Sequence, residues 1–289
     1  MPAVEPLTDW IKTSGQSQDP TWDRHFELER LRASYPELDA CALGRIDSTN
    51  EALKRLLRQP GAEAFGPLLL VADRQTAGRG RGRNSWYADA GASLLFTASF
   101  PLAKPEPLVP LLAALTVYET VSEHVPGAEA ELELKWPNDV LWRGGKLAGI
   151  LCEAVLRPSG SHLLIGIGIN IQEQELPLEA GHASSLEAIA ASVGRSAPRG
   201  TRGDLLQACY ARLYTGLQML GTPGGTTRLL QAYKAKLGTL GQLIRWRSPE
   251  GEARGIVRDV SEQGYLLVED AQGRREELMA SEIREVRHG

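Results

Sequence analysis

Arg79, Arg81 and Arg83 stand on alternate positions of the segment QTAGRGRGRNSW, with Gly78, Gly80 and Gly82 between them. A guanidinium presents forked donors that match a carboxylate or a phosphate. Glycine lets backbone N–H groups come close to the same anion. Three like charges at this spacing repel, and a glycine-rich loop loses much conformational entropy when it is ordered. An anion held under the loop offsets both costs, so the segment reads as an anion-binding loop. A dinucleotide fingerprint is excluded: G-x-G-x-x-G needs glycine at position 83 and a helix after it, whereas Arg83 stands there and NSWYADAG is turn-rich. A Walker loop is excluded as well, because Gly145-Lys146 is followed by Leu147 and has Val140 where the first glycine belongs.

Three other segments concentrate chemistry. In KWPNDVLWRGGKLAG, Lys135 and Lys146 flank Asn138 and Asp139. Lys146 opens a strand directly after a Gly-Gly turn, so its ammonium is aimed from an ordered position, while Lys135 is expected on the far side of the Asn-Asp turn. Asp139 can hold Mg²⁺, which uses one or two carboxylates plus substrate phosphates, or it can cap a turn. In IGIGIN, Gly166 and Gly168 interrupt a strand, which marks close approach of a ligand or of another part of the chain. In DSTN, Ser48 caps a helix, with Glu51 completing a capping box; Ser48 and Thr49 also offer hydroxyls.

The elements that position these segments follow from periodicity and turn chemistry. TWDRHFELERLRASYP is expected as one helix ending before Pro36, after a linker-like TSGQSQDP. NEALKRLLRQPG is a helix stopped by Pro60-Gly61, PLLLVAD a buried strand, ASLLFTASF a strand and PLVPLLAALTVYETVSEHV a helix. ELELKW, DVLW, KLAGILCEAVL and HLLIGIGINI are strands, and two helical patterns occupy about 203–237. From Gly238 short strands are punctuated by PEG, EQG and AQG, the texture of a small all-β unit. The expected organisation is an extension over 1–39, a catalytic α+β domain over 40–237 and a small β-barrel over 238–289.

With 289 residues, 42% hydrophobic and 24% charged, the chain can bury a sizeable core. Its net charge of -4 argues against a general polyanion-binding surface, so its basic clusters are local sites. Cys41, Cys152 and Cys209 lie far apart without CxxC spacing, and the five histidines form no HExxH pattern. The expectation is reduced thiols, a cytoplasmic location and no protein-bound zinc. No signal peptide or apolar run long enough for a membrane span is seen.

Taken in order, DSTN, QTAGRGRGRNSW, KWPND, KLAGIL and GIGIN resemble the biotin–protein ligase family, with 238–289 similar to that family's SH3-like C-terminal domain. The resemblance implies a mixed, mainly antiparallel sheet with flanking helices, like that of class II synthetases and lipoate ligases. It implies ATP, Mg²⁺ and biotin, formation of biotinyl-5′-AMP, and transfer of biotin to a lysine of a biotin carboxyl carrier domain such as that of acetyl-CoA carboxylase. It assigns biotin contacts to Ser48, Thr49, Asn50, Gln75, Arg79, Gly80, Arg81, Lys146 and Gly149, with Gly168 also allowing close approach. Trp86, Asn138 and Asn170 fall to the adenylate. Lys146, Arg81 and Asp139 become the catalytic set, Asp139 through magnesium or through activation of the acceptor lysine. The order GRGRGRNSW, in place of GRGRRGRxW, leaves Arg83 without an assigned role.

Family members that act as repressors carry a winged helix-turn-helix, and about 39 residues with one visible helix are too few for one. No DNA binding and no membrane partner are therefore expected, while homodimers through the central sheet occur in the family. Two rival readings remain: a lipoate–protein ligase, which shares the fold and reaction logic, and a nonenzymatic biotin-sensing regulator.

Overall fold

The computed structural model describes residues 6–13, 20–62, 65–82, 84–102, 106–157, 160–195, 202–248, 251–280 and 285–288. Arg83 and most of the linker-like segment lie outside the described residues. Three short helices, α1 (Leu7–Thr13), α2 (Pro20–His25) and α3 (Leu28–Ser34), precede β1 (Asp39–Ile46) and α4 (Thr49–Leu57). Then come β2 (Leu68–Gln75), β3 (Ser93–Leu102), α5 (Val109–His124), β4 (Leu132–Lys135), β5 (Asp139–Trp142), β6 (Gly145–Val155) and β7 (Ser161–Asn170). Helices α6 (Leu186–Ser192), α7 (Arg202–Leu220) and α8 (Gly225–Lys234) follow. The chain ends in β8 (Leu243–Ser248), β9 (Gly251–Val260), β10 (Leu266–Glu269), β11 (Arg275–Leu278) and β12 (Glu285–His288).

Seven strands form one sheet in the order β1-β2-β3-β7-β6-β5-β4, parallel between β1 and β2 and antiparallel elsewhere. The alternation of side chains along each strand sends Phe96, Ala98, Ile165, Ile167 and Ile169 into the larger core with α5 and α7. It leaves Thr97, Gly166 and Gly168 on the opposite face, where α1 and α4 pack through Leu7, Ile11, Leu53 and Leu57. In the registers Gly149↔Gly168 and Leu151↔Gly166, β6 and β7 place three residues without bulky side chains beside the start of α4. This bare strip becomes the floor of the site.

The extension differs from the single helix expected over 21–36. The chain breaks at Phe26-Glu27, where Glu27 takes φ 53°, giving α2 and α3. The break has a use, because β1 is the edge of the sheet and its free N–H and C=O groups need partners. Ala42 N–H donates to Asp23 Oδ1 at 2.9 Å, and Arg32 donates to the Ala40 carbonyl at 2.6 Å. Arg32 also pairs with Asp23 Oδ2 at 2.7 Å, which joins the two helices across the break. Trp22 lies so close over Gly44 that a Cβ there would sit 2.7 Å from the indole nitrogen. Asp23→Ala removes an acceptor from a strand N–H and a counter-charge from Arg32, so it should cost about 1–3 kcal/mol. Thermal unfolding checks this, and an unchanged melting temperature counts against the edge-capping role.

The C-terminal strands form a separate five-stranded antiparallel sheet, β11-β10-β9-β8-β12. Its apolar residues Ile244, Trp246, Val257, Leu266 and Val268 are continuous with the larger core. It is anchored by Trp136 Nε1–H donating to the Gly264 carbonyl at 2.9 Å and by Lys234 pairing with Asp259 at 2.6 Å. Trp136 belongs to the KWPND segment, so this sheet docks directly behind the site.

Candidate active site

The anion-binding loop leaves the end of β2 and folds back on itself. Gly80 N–H donates to the Asn84 carbonyl at 2.8 Å and Trp86 N–H to the Gly78 carbonyl at 3.0 Å, with Arg79 and Ser85 paired as a β-bridge. Gly78 is required for this pairing, since a Cβ would lie 2.5 Å from the Trp86 carbonyl. The loop forms one wall of a cleft of about 350 Å³. The start of α4 forms another, β6 and β7 the floor, and the KWPND turn the third side. Ser48, Thr49, Asn50, Gln75, Arg79, Gly80, Arg81, Trp86, Asn138, Asp139, Lys146, Gly149 and Gly168 all line this cleft.

Asn170 does not line it. Its side chain is buried, donates from Nδ2 to the Lys146 carbonyl at 3.1 Å, and lines a second cavity of about 690 Å³ with Trp142, His182 and Ser184. The first residues of β6 separate the two spaces, with Lys146 N–H bonded to the His182 carbonyl at 2.9 Å. Lys135, expected on the far side of its turn, lines the first cleft together with Lys146. The antiparallel pairing of β4 with β5 sets Lys135 opposite Asp139, which brings it round to the same side.

Lys146, Arg79 and Arg81 each have a defined neighbour. Lys146 Nζ lies 2.8 Å from Asp139 Oδ1, a pair held by charge and not by a directed hydrogen bond. Asp139 is thus committed to the lysine, and among the described residues no group of three His, Cys, Asp or Glu side chains is placed to hold a metal ion. Arg79 pairs with Glu51 Oε1 at 2.7 Å. Burial pushes the Glu51 carboxyl up, but Lys54 and Arg79 outweigh it and hold the group below its ordinary value. That use of Glu51 leaves the capping box half built: Ser48 Oγ accepts from Glu51 N–H at 3.5 Å, while Ser48 N–H turns to Asp47 at 2.8 Å. Arg81 donates to Asn138 Oδ1 at 3.5 Å and to the Ala280 carbonyl, which brings the C-terminal region to the edge of the cleft. Burial pulls the Arg81 guanidinium below its ordinary value, opposed by the charge of Asp139. An anion beside a desolvated cation is strongly favoured.

Trp86 covers the glycine strip expected to receive a flat ligand. A Cβ on Gly168 would lie 2.6 Å from its indole and one on Gly149 2.8 Å, and Lys146 Nζ is 5.7 Å from the ring centroid. The indole Nε1 is buried without a hydrogen-bond partner.

Thr97, Lys54 and Glu153 complete the polar lining from behind and were not singled out in the sequence. Thr97 Oγ1 lies 2.5 Å from Asn50 Oδ1, and Asn50 Nδ2 donates to Glu153 at 2.9 Å. The available signal was a polar residue inside each apolar strand, Thr97 in LLFTASF and Glu153 in ILCEAV. Helix α6 was likewise unassigned, although Ser185 caps it by accepting from Ala188 N–H at 3.1 Å.

This geometry joins hydroxyl and amide groups in one cleft with four cations, Arg79, Arg81, Lys135 and Lys146. The profile of the biotin/lipoate A/B protein ligase family matches residues 42–170, and that of the biotin protein ligase C-terminal domain matches 239–284. The biotin–[acetyl-CoA-carboxylase] ligase of Mycobacterium tuberculosis is 32% identical over 258 residues, covering 87% of this chain and 90% of that one. The chain belongs to the biotin protein ligase family. The Paracoccus denitrificans ligase of the same designation is also 32% identical, covering 81% of this chain and 95% of that one. The biotin protein ligase of Aquifex aeolicus in complex with biotin and ATP superposes with a TM-score of 0.68 at 29% identity, covering 86% of this chain and 99% of that one. The Leishmania major ligase in complex with biotinyl-5-AMP gives 0.57 at 25% identity, covering 83% and 98%. This family member is a ligase, and its α+β fold with a small C-terminal antiparallel sheet is that of its relatives. Among the described residues no helix is long and apolar enough to cross a membrane.

Proposed function

We propose that the cleft activates biotin with ATP to biotinyl-5′-AMP and that the chain then passes the biotinyl group to a lysine of a carboxylase's biotin carboxyl carrier domain. The observation that carries this reading is the convergence of Arg81 and Lys146 on one cleft that is also lined by Thr49, Asn50 and Gln75. Adenylation brings a carboxylate against an α-phosphate. The carboxylate oxygen bonds to phosphorus while the bond to the leaving pyrophosphate breaks, and two cations screen the approach of two anions. Lys146, oriented by Asp139, faces the charge that develops on the reacting oxygens. Arg81 closes over the product. Trp86 offers its indole face to the adenine end beside the reacting groups, while Asn170 acts at one remove, by donating to the Lys146 carbonyl. In the second step the carrier's neutral lysine amine attacks the mixed anhydride, the amide forms and AMP leaves.

Magnesium bound with the nucleotide would be held by the phosphates together with Asp139, the acidic side chain that lines the cleft and pairs with Lys146, and would neutralise phosphate charge. The relatives' designations favour biotin over lipoate as the acyl substrate and an enzyme over a sensor.

The test incubates the protein with labelled biotin, ATP, Mg²⁺ and a carrier domain, each omitted in turn, with lipoate substituted for biotin in a parallel series. Label should reach the carrier only in the complete biotin mixture. Pyrophosphate exchange driven by lipoate and not by biotin would overturn the assignment.

A further inference from the structure

We infer that Glu153 is a positioning residue that fixes the direction of every hydrogen bond in the series Glu153–Asn50–Thr97–Thr49, and so turns Thr49 Oγ1 into an acceptor facing the cleft. The inference rests on reading this cleft as the biotin site.

The argument is a count of protons. Glu153 Oε1 lies 2.5 Å from Lys54 Nζ and Oε2 lies 2.9 Å from Asn50 Nδ2. A carboxylate only accepts and an ammonium only donates. Asn50 must therefore turn its NH₂ to Glu153, and the second hydrogen reaches the Leu151 carbonyl at 3.2 Å. Its Oδ1 is driven to the other side, over Gly166, where a Cβ would lie only 2.2 Å from it. There it meets Thr97 Oγ1 at 2.5 Å. Thr97 has one hydroxyl hydrogen, and a carbonyl oxygen can only accept, so that hydrogen goes to Asn50. The 2.8 Å contact between Thr97 Oγ1 and Thr49 Oγ1 must then use the hydrogen of Thr49.

Thr49 is left with lone pairs towards the cleft. Its backbone N–H donates to Gln75 Oε1 at 2.7 Å, which leaves Gln75 Nε2 as the donor of that amide. Thr49 Oγ1 also lies 3.2 Å from Gln75 Oε1, and this longer contact gives up the hydroxyl hydrogen to the 2.8 Å contact with Thr97. One wall thus offers a fixed acceptor beside a fixed donor, the complement of a ureido N–H and its C=O. A dithiolane ring brings no N–H and leaves the acceptor unpaired, which is how such a site rejects an analogue.

Glu153→Gln keeps the shape and reverses the logic. Lys54 still demands an acceptor, so the new amide turns its carbonyl to Lys54 and its NH₂ to Asn50. Asn50 must flip, Thr97 then donates to Thr49, and the Thr49 hydrogen is displaced from Thr97 towards Gln75 Oε1 and the cleft, so that Thr49 no longer offers its full acceptor capacity to the ligand. Biotin's dissociation constant and KM should rise about 10-fold, with kcat and the KM for ATP nearly unchanged. In the double variant Lys54→Met/Glu153→Gln nothing holds the amide carbonyl, which can return to Asn50. Biotin affinity should recover to within about 3-fold of wild type, a gain that a merely structural role for either residue does not produce.

Calorimetric titration with biotin alone reads both variants against wild type, with melting curves run alongside. Glu153→Gln binding biotin as wild type does, or a double variant no better than the single one, overturns the positioning role while leaving the biotin site intact. Wild type failing to bind biotin overturns the reading of the cleft and this inference with it.

Discussion

Lys146→Ala should slow formation of the adenylate by about 10²–10³ while leaving biotin affinity close to wild type. The lysine opens β6 directly after the Gly144-Gly145 turn, and its ammonium is held 2.8 Å from Asp139 Oδ1 over the cleft floor. A cation fixed in this way contributes most where charge develops, on the carboxylate and α-phosphate oxygens at the moment of attack. In the proposed reading, contacts to the ureido ring come from α4 and the end of β2 and persist in the ground state, so binding survives the substitution. Alanine also leaves Asp139 without its partner, which adds an uncompensated negative charge beside two approaching anions. Pyrophosphate exchange measures the first quantity and titration with biotin the second. Lys135 lines the same cleft and is the natural control. Equal losses in Lys135→Ala and Lys146→Ala would show that the cleft acts through its summed charge and that neither lysine is specifically aimed.

The segments that line the cleft were legible because each carries a constraint local in sequence. Alternating glycine and arginine betray a loop that must approach an anion, and a lysine after Gly-Gly betrays an aimed side chain. Glycine at every second strand position betrays a surface stripped of side chains, although the sequence did not tell that Trp86 covers it. What stayed hidden depends on long-range juxtaposition. Asn50 and Glu153 are 103 residues apart, and Arg81 and the Ala280 carbonyl are 199 apart. A carbonyl has no sequence signature at all. The helices before β1 depart from the single expected helix for a related reason. TWDRHFELERLRASYP has helical composition throughout, but the edge strand requires Asp23 and Arg32 to reach it together, and that geometry breaks the helix at Glu27. Tertiary demand overrides local propensity wherever a sheet edge must be covered.

Arg81→Gly should weaken retention of the adenylate more than it slows its formation. A mixed anhydride is reactive, and the enzyme must hold it until a carrier lysine arrives. Arg81 is suited to holding, because it ties the loop to Asn138 on the facing turn and to the Ala280 carbonyl beyond the cleft. Its loss severs both ties. The added glycine makes an already glycine-rich loop harder to order, which acts in the same direction. Lys146, in its pair with Asp139, remains to support adenylation. Biotinyl-AMP should then escape and acylate exposed lysines without regard to carrier identity. The measurement is biotinylation of an unrelated lysine-rich protein by wild type and variant, with biotin and ATP present. A variant that forms adenylate at the normal rate and releases none would refute the retention role. Complete loss of adenylation would place Arg81 in the chemical step instead. The contact to Ala280 allows one finer discrimination, because it joins the loop to the C-terminal region through a backbone oxygen that no side-chain substitution removes. If that tie dominates, leakage appears with Arg81→Gly but not with Asn138→Ala. If the facing turn dominates, both variants leak.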